Sequence, residues 1–287
     1  MNVIDRPTLV VGVDHSGTTI LYRMLARHPD LGWFSQYSLR DGSFPGRTGV
    51  PVVRGWVNRV GRRLTDFTWR KKERWLRPEP KEGIGIWRRL IPRNDELLYA
   101  SDYADELAER VRDVVSSDSR AWRLERMLFK APYLTRAVLL LDRIFPDALF
   151  LHIVRDGKAV ALSNRQRIAE EQGLTRREAL CRSAEYWVET LDYLEECARQ
   201  LGPRLRTIRY EEFCLDVHGS LEAAFRYFGL DPDAAPLEHV PRTLVPTNDG
   251  WLRRCSVRDR ELLDDILGVS LLRWGYEPFN YGAVSAG

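Results

Sequence analysis

The chain has 287 residues, of which 44% are hydrophobic and 30% charged, enough apolar sequence for the core of one large domain. A formal net charge of +3 is too small to indicate nucleic-acid binding. No apolar run approaches the ~20 residues that cross a bilayer, and no basic-then-apolar leader begins the chain. We therefore expect no membrane span and a cytoplasmic location. Four widely spaced cysteines, without a C-x-x-C pair, predict free thiols and no metal site.

Strands and helices alternate along most of the sequence. TLVVGV at 8–13 predicts a strand, and TTILYRML after it carries apolar residues at helical spacing up to the break at Pro29. Further on, the patterns predict a strand and turn over 127–134, a helix over 135–145, a strand over 148–154, helices over 157–173 and 176–200, a strand over 204–210, and helices over 217–228 and 257–276. This alternation predicts an α/β fold with a central parallel sheet flanked by helices.

A basic segment interrupts this alternation. Residues 47–93 contain fourteen Lys or Arg against four acids, a net +10, so the rest of the chain carries −7. Four tryptophans, Trp56, Trp69, Trp75 and Trp87, lie among these charges. We interpret the chain as a single domain, 1–287, with a basic, Trp-containing insertion at about 40–100.

The loop after the first strand reads Gly12-Val13-Asp14-His15-Ser16-Gly17-Thr18-Thr19. Unpaired backbone N–H groups and the helix dipole make the start of the following helix a site for an anion, and Gly17 lets a ligand approach closely. The glycine spacing is that of the phosphate loop G-x-x-x-x-G-K-[ST], but Thr18 stands in place of its lysine, which weakens the case for ATP chemistry. The plainer alternative is a helix cap after a tight turn.

A second candidate anion site follows a later strand. Arg155 comes directly after LFLHIV, and Ser163 falls eight residues further on, two turns into the next helix. Ligands of open parallel sheets bind at the carboxyl ends of strands, where an arginine fork and a serine hydroxyl can hold one anion. By itself, this pair also fits an ordinary turn with a solvated serine.

Together, H-S-G-T-T and I-V-R-D-x-x-x-x-x-x-S resemble the sulfotransferase family that uses 3′-phosphoadenosine 5′-phosphosulfate (PAPS). FKAP at 129–132 resembles the family's K-x-P segment, and FPDALFLHIVRD and IRYEEF resemble two further family segments. NDGWLRRCS at 248–256 and the closing WGYEP are similar to its C-terminal cofactor-covering region. The resemblance covers roughly 7–40 and 121–278, and leaves the insertion out.

This resemblance implies a P-loop nucleotide-binding-like architecture and a role for each matching residue. The first loop, from His15 to Thr19 (His15, Ser16, Gly17, Thr18, Thr19), would hold the 5′-phosphosulfate, and Arg155 and Ser163 the 3′-phosphate. Tyr210 would contact the adenine side. The leaving oxygen needs a cation, for which His15, in the position of the usual Lys or Arg, and Lys130 of K-x-P are the candidates. No metal is implied.

The general base is not identified by the sequence. Relatives often carry a glutamate shortly after the first helix, whereas this segment has Gln36, which accepts no proton. Asp41, Asp102 and Glu125 remain candidates. We interpret His152, inside an apolar strand, as a packed core histidine.

The function expected from the resemblance is transfer of a sulfuryl group from PAPS to an acceptor hydroxyl, on a small molecule, a lipid-linked molecule or a glycan, with release of adenosine 3′,5′-bisphosphate (PAP). Two alternatives remain: a small-molecule kinase with a degenerate phosphate loop, and a catalytically silent PAP-binding protein. The basic insertion is read as a solvated lid, as an acceptor site for an anionic or glycan substrate, or as a membrane-docking surface. The acceptor and the oligomeric state are left open.

Overall fold

The computed structural model describes residues 6–35, 38, 79–91, 96–250 and 255–279. Five strands form one sheet in the order β2-β3-β1-β4-β5, and every pairing is parallel. The strands are β1 (Thr8–Val11), β2 (Gly32–Trp33), β3 (Met127–Phe129), β4 (Leu149–Val154) and β5 (Leu205–Arg209). The expected α/β architecture with a central parallel sheet is confirmed.

Helices cover the sheet, and several begin at side-chain caps that the sequence provides. They are α1 (Thr18–Leu25), α2 (Ile84–Leu90), α3 (Asp105–Trp122), α4 (Val138–Ile144), α5 (Gly157–Gln172), α6 (Arg176–Leu201), α7 (Tyr210–Leu215), α8 (Val217–Tyr227) and α9 (Val257–Arg273). Asp156 accepts a hydrogen bond from the Lys158 N–H at the start of α5, and Thr175 and Glu178 form a reciprocal capping box at the start of α6.

Packing of α6 fixes the point where β4 passes into α5. Trp187 of α6 is fully buried and donates its indole N–H to the carbonyl of Arg155 at 3.2 Å. A Cβ on Gly157 would lie 2.9 Å from the same indole, so only glycine fits there without displacing the ring. The backbone at Arg155 is therefore held by the core and not by a free loop.

The part of the insertion that the structure describes is attached to the core. Ser35 and Pro80 form an antiparallel bridge, so the chain returns next to the point where it leaves β2. Trp87 is fully buried, with ring centroids 5.8 Å from Phe34 and 5.5 Å from Phe129. Trp87 therefore belongs to the core and offers no surface for a ligand, while Trp56, Trp69 and Trp75 lie outside the described residues.

The four cysteines are free thiols. None of the helices in the described ranges is long and apolar enough to cross a membrane. Over those same ranges, no group of three or more His, Cys, Asp or Glu side chains is arranged to bind a metal ion.

His152 lies on β4 inside the sheet, fully buried, with Nδ1 3.1 Å from the Thr207 hydroxyl. Burial lowers the pKa of His152 from 6.5 to about 3. Below pH ~6.5, His152 therefore binds a proton in the unfolded chain but not in the folded chain. The free energy of unfolding keeps its full contribution from His152 above that pH and decreases as the pH drops toward 3. We expect wild type to lose up to ~1.4 kcal/mol per pH unit over this window through His152.

Urea unfolding of wild type and His152→Asn between pH 8 and pH 4.5 measures this loss. Asparagine keeps a polar atom for Thr207 and does not titrate, so the stability difference between the two proteins should shift in favour of the variant as the pH falls. A difference that stays constant with pH would contradict the assignment.

Candidate functional site

The candidate site residues leave the sheet at its carboxyl edge, from four neighbouring strands. Lys130 follows β3 directly, the loop 12–17 follows β1, Arg155 follows β4, and Tyr210 follows β5. Because β3, β1, β4 and β5 are adjacent in the sheet, segments that are far apart in sequence meet at one edge. Strand order alone therefore brings the predicted residues together.

The backbone conformation of the loop after β1 is constrained by its neighbours. Gly12 lies at φ 155°, where a Cβ would be 2.5 Å from the carbonyl oxygen of Ile153, and Gly17 lies at φ 91°. His15 adopts φ 66°, a left-handed conformation that is strained for a non-glycine residue. The Thr135 hydroxyl accepts from the Gly12 N–H at 2.9 Å and donates to its carbonyl at 3.0 Å. The fold thus holds the strained conformation of His15 in place.

The loop leads into the amino end of α1. Gly17 occupies the capping position and has no side chain with which to cap the helix, so the first backbone N–H groups of α1 receive no side-chain cap from it, next to the cleft described below. Ser16 and Thr18 are buried beside them, and Thr19 lines the cleft. This arrangement suits an anion, which would receive backbone and hydroxyl hydrogen bonds together with the helix dipole.

Arg155 is held by several partners at once. Its Nη1 donates to the carbonyl of His15 at 2.6 Å, its Nε to Asn248 Oδ1 at 2.9 Å, and its Nη2 to the Thr247 hydroxyl at 2.8 Å. The guanidinium lies over the ring of Tyr210, 4.6 Å from its centroid. These contacts use three of five N–H donors, and the remaining two can receive an oxyanion.

The two candidate anion sites touch through His15. Ser163 Oγ lies 3.0 Å from His15 Nδ1, while Arg155 binds the His15 carbonyl. Tyr210 closes the other side, since a Cβ on Gly17 would be 2.6 Å from a carbon of its ring. The residues predicted from the first loop and from the later strand are therefore parts of one continuous site.

Lys130 is buried with its ammonium group turned toward the loop. Its Nζ lies 2.8 Å from Glu82 Oε1 and 3.2 Å from the Thr19 hydroxyl, which in turn donates to Glu82 at 2.8 Å. The sequence analysis does not identify Glu82, one of the four acids within residues 47–93. Its position depends on how the insertion folds back onto α1, which no local pattern reveals.

A cleft of about 890 Å³ opens in front of this group. The loop residues and Lys130 form its inner wall, and the outer wall combines apolar, aromatic and basic side chains. The outer residues include Ile84, Arg88, Tyr133, Ile168, Arg182 and Tyr186. Arg155 and Ser163 do not line this cleft, and they connect with it through His15.

The surroundings of His15 lower the pKa of its imidazole. Burial is the largest cause that lowers the pKa of His15, and the cations Arg167, Arg155 and Lys130 add to it, against the opposing effect of Asp14. Asp14 is itself paired with Arg167 at 3.1 Å. A bound anion would reverse this balance, because a negative charge beside an imidazole stabilises its protonated form.

Two of the carboxylates considered from sequence as bases, Asp102 and Glu125, do not line the cleft. Asp102 accepts a hydrogen bond from the Tyr99 N–H at 2.9 Å, in a turn away from the loop. Glu125 precedes β3 and so lies at the amino end of the strand, opposite the site. Gln36 and Asp41 fall outside the described residues.

The C-terminal segment enters the site through Thr247 and Asn248. Asn248 Nδ2 donates to Glu211 Oε1 at 2.6 Å, and Tyr276 donates to the other oxygen of Glu211 at 2.8 Å. Glu211, next to Tyr210 in IRYEEF, therefore orients the amide that holds Arg155. Residues 251–254 of the expected covering region lie outside the described part of the chain.

Comparisons with known proteins identify a family by its model and a shared fold by solved structures. A model described as "Sulfotransferase family" matches residues 7–234. The sulfotransferase STF9 from Mycobacterium avium superposes with a TM-score of 0.63 at 16% identity, over 96% of this chain and 78% of that one. STF1 from Mycobacterium tuberculosis H37Rv gives 0.55 at 17% identity, over 92% and 77%.

A sulfotransferase domain from the curacin biosynthetic pathway gives a TM-score of 0.52 at 16% identity, over 96% of this chain and 99% of that one. At these identities the structures show a shared fold. No curated protein matches this sequence.

Proposed function

The chain belongs to the sulfotransferase family, and from that premise we propose that it transfers a sulfuryl group from PAPS to an acceptor hydroxyl and releases PAP. The oxygen of the acceptor forms a bond to sulfur while the bond from sulfur to the 5′-phosphate oxygen breaks. That oxygen keeps the electron pair, and the acceptor loses its proton. The acceptor is a small molecule or a glycan.

One observation carries the proposal, namely the contact of both candidate anion sites with His15. Arg155 binds the His15 carbonyl at 2.6 Å and Ser163 lies 3.0 Å from its ring. A ribose that carries phosphates at both its 3′ and 5′ positions presents two neighbouring anions and fits such a pair of sites. ATP lacks a 3′-phosphate, and the loop lacks the lysine of an ATP site.

The proposed roles follow from chemistry and position. Arg155 and Ser163 bind the 3′-phosphate, and the loop residues Ser16, Gly17, Thr18 and Thr19 bind the 5′ end of the donor. His15 and Lys130 neutralise the charge that grows on the leaving oxygen. Tyr210 packs against Gly17 and Arg155 and so supports the nucleotide between the two phosphate sites.

Two measurements test this function. Isothermal titration calorimetry should show binding of PAP and little or no binding of ATP with Mg²⁺, and labelled sulfate should pass from PAPS to members of a panel of hydroxylated acceptors. A preference for ATP with Mg²⁺ would favour a kinase. Tight PAP binding without transfer to any acceptor, including simple phenols and sugars, would favour a silent binding protein.

A methyl group at Gly17 should damage the donor site selectively. Gly17 lies at φ 91°, and an added Cβ would be 2.6 and 2.9 Å from two carbons of the Tyr210 ring. We expect Gly17→Ala to weaken PAP binding by about a hundredfold, because loop and ring must both move. Calorimetry measures the affinity, and circular dichroism checks the fold.

Gly268→Ala is the matched control. It lies within α9, and a Cβ there meets no atom within 4 Å. We expect this variant to bind PAP like wild type and to be slightly more stable, since alanine favours a helix over glycine. Unchanged PAP affinity in Gly17→Ala would show that the loop does not contact the nucleotide.

A further inference from the structure

Glu82 occupies an unexpected position for an acidic residue. Its carboxylate lies 2.8 Å from both the Lys130 ammonium and the Thr19 hydroxyl, at the inner wall of the cleft. A negative charge there repels an anionic donor and engages a cation that the donor needs. Glu82 therefore opposes donor binding, and its presence requires another explanation.

The position of Glu82 is fixed by its neighbours on both sides. The Lys81 N–H donates to the carbonyl of Phe34 at 2.7 Å, and the Tyr22 hydroxyl donates to the carbonyl of Lys81 at 3.0 Å. Gly83 lies at φ 66°, where a Cβ would be 2.5 Å from the Phe34 ring. Two hydrogen bonds and the close approach of Gly83 to Phe34 thus direct this segment so that the carboxylate meets α1.

The next segment is anchored as well, since the Tyr133 hydroxyl donates to the carbonyl of Ile84 at 2.7 Å. Within the described part of the chain, the other carboxylates that line the cleft are Asp14 and Glu171, and both are ion-paired with Arg167, at 3.1 and 2.8 Å. Glu82 differs from them because its partner, Lys130, has a second use in the proposed reaction.

Resting on the proposed function, we propose that Glu82 is the general base and that donor binding releases it. When the phosphosulfate enters, Lys130 exchanges its bond to the carboxylate for one to the donor. Glu82 then accepts the proton of the acceptor hydroxyl while the acceptor oxygen bonds to sulfur and the leaving 5′-phosphate keeps the electron pair. The insertion thus supplies the glutamate that residues 26–41, after α1, lack in sequence.

This role predicts two effects of opposite sign in Glu82→Gln. Glutamine keeps the size of the side chain and can still hydrogen-bond Thr19, but it neither takes a proton nor carries charge. We expect turnover to fall on the order of 100-fold, and PAP to bind roughly 5- to 10-fold tighter because Lys130 is freed. The decline of kcat toward acid pH that a carboxylate base causes should disappear.

Acceptors of different acidity refine the test. 4-Nitrophenol ionises easily and needs little help from a base, so the loss of turnover in Glu82→Gln should be smaller for it than for an alkyl alcohol. Glu79→Gln is the matched control, because this substitution removes the same charge three residues away. Glu79 pairs with Lys81 at 3.1 Å, outside the cleft. It should leave both turnover and PAP affinity unchanged.

The outcomes separate this proposal from the proposed function. If wild type neither binds PAP nor transfers sulfate, the proposed function fails. If wild type does both and Glu82→Gln retains wild-type turnover, or binds PAP more weakly, Glu82 is not the base. Weaker binding would mean that the carboxylate only positions Lys130 and Thr19.

Discussion

Arg155→Ala is expected to weaken PAP binding by about a thousandfold, because two charge-assisted hydrogen bonds to the 3′-phosphate, each ~1.5–3 kcal/mol, are lost together. The same substitution also removes the bond to the His15 carbonyl and the contact over Tyr210. Calorimetry with PAP measures the total loss, and thermal unfolding shows whether the protein remains folded.

A comparison of nucleotides separates the two contributions. Adenosine 5′-monophosphate lacks the 3′-phosphate, so its affinity should fall far less than that of PAP if Arg155 binds that phosphate directly. Equal losses for both nucleotides would mean that Arg155 only supports the loop. Arg155→Lys keeps the charge without the planar fork and should lie between wild type and alanine, while Arg206→Ala, at an exposed position on β5, should change neither affinity.

His15→Ala should lower turnover by several hundredfold and PAPS affinity by less than tenfold. The leaving 5′-phosphate gains negative charge only as the bond to sulfur breaks, so a cation at His15 stabilises the transition state more than bound PAPS. Steady-state kinetics and calorimetry measure the two quantities. A variant that loses affinity and turnover in equal proportion would reduce His15 to a donor-binding residue.

The pH dependence of binding gives a second measure of His15. Burial and neighbouring cations lower its pKa in the free protein, and a bound phosphate raises it, so PAP binding should take up a proton. Affinity should rise as the pH falls from 8 toward 6 and level off once the free histidine is protonated. In His15→Lys the side chain is charged over this whole pH range, so the variant should regain turnover and should not take up this proton. The pH dependence that remains in His15→Lys measures the titration of the phosphates of PAP, which is then subtracted from that of wild type.

Local patterns in the sequence predict most of the sheet and its main helices. β-branched and apolar runs such as TLVV and LFLHIV admit little besides a buried parallel strand, and caps such as Thr175 mark where helices begin. β2, with two residues, and α2, inside the basic segment, carry too little periodicity to be predicted. The α3 helix is not predicted either, because its largely polar sequence shows only a narrow stripe of buried residues.

The candidate residues that follow strands are more predictable than those that reach the site from distant segments. The loop 12–17 and Arg155 follow strands directly, and Ser163 lies two helical turns further on. The strand order then determines that these residues meet. Glu82 and Thr247 reach the site only because distant segments fold back onto it. Their contacts depend on tertiary packing around Phe34 and Tyr210, to which no spacing in the sequence corresponds.

The bridge between Ser35 and Pro80 gives the molecule two adjacent splice points. Ser38 is buried and donates to Asp118 at 2.6 Å, so an exchange that keeps this contact replaces residues 39–78 with the equivalent segment of another family member. Glu82, just beyond the second splice point, would stay in the recipient. Chimeras built at these points can therefore vary this segment while the loop after β1, Arg155 and Glu82 remain constant.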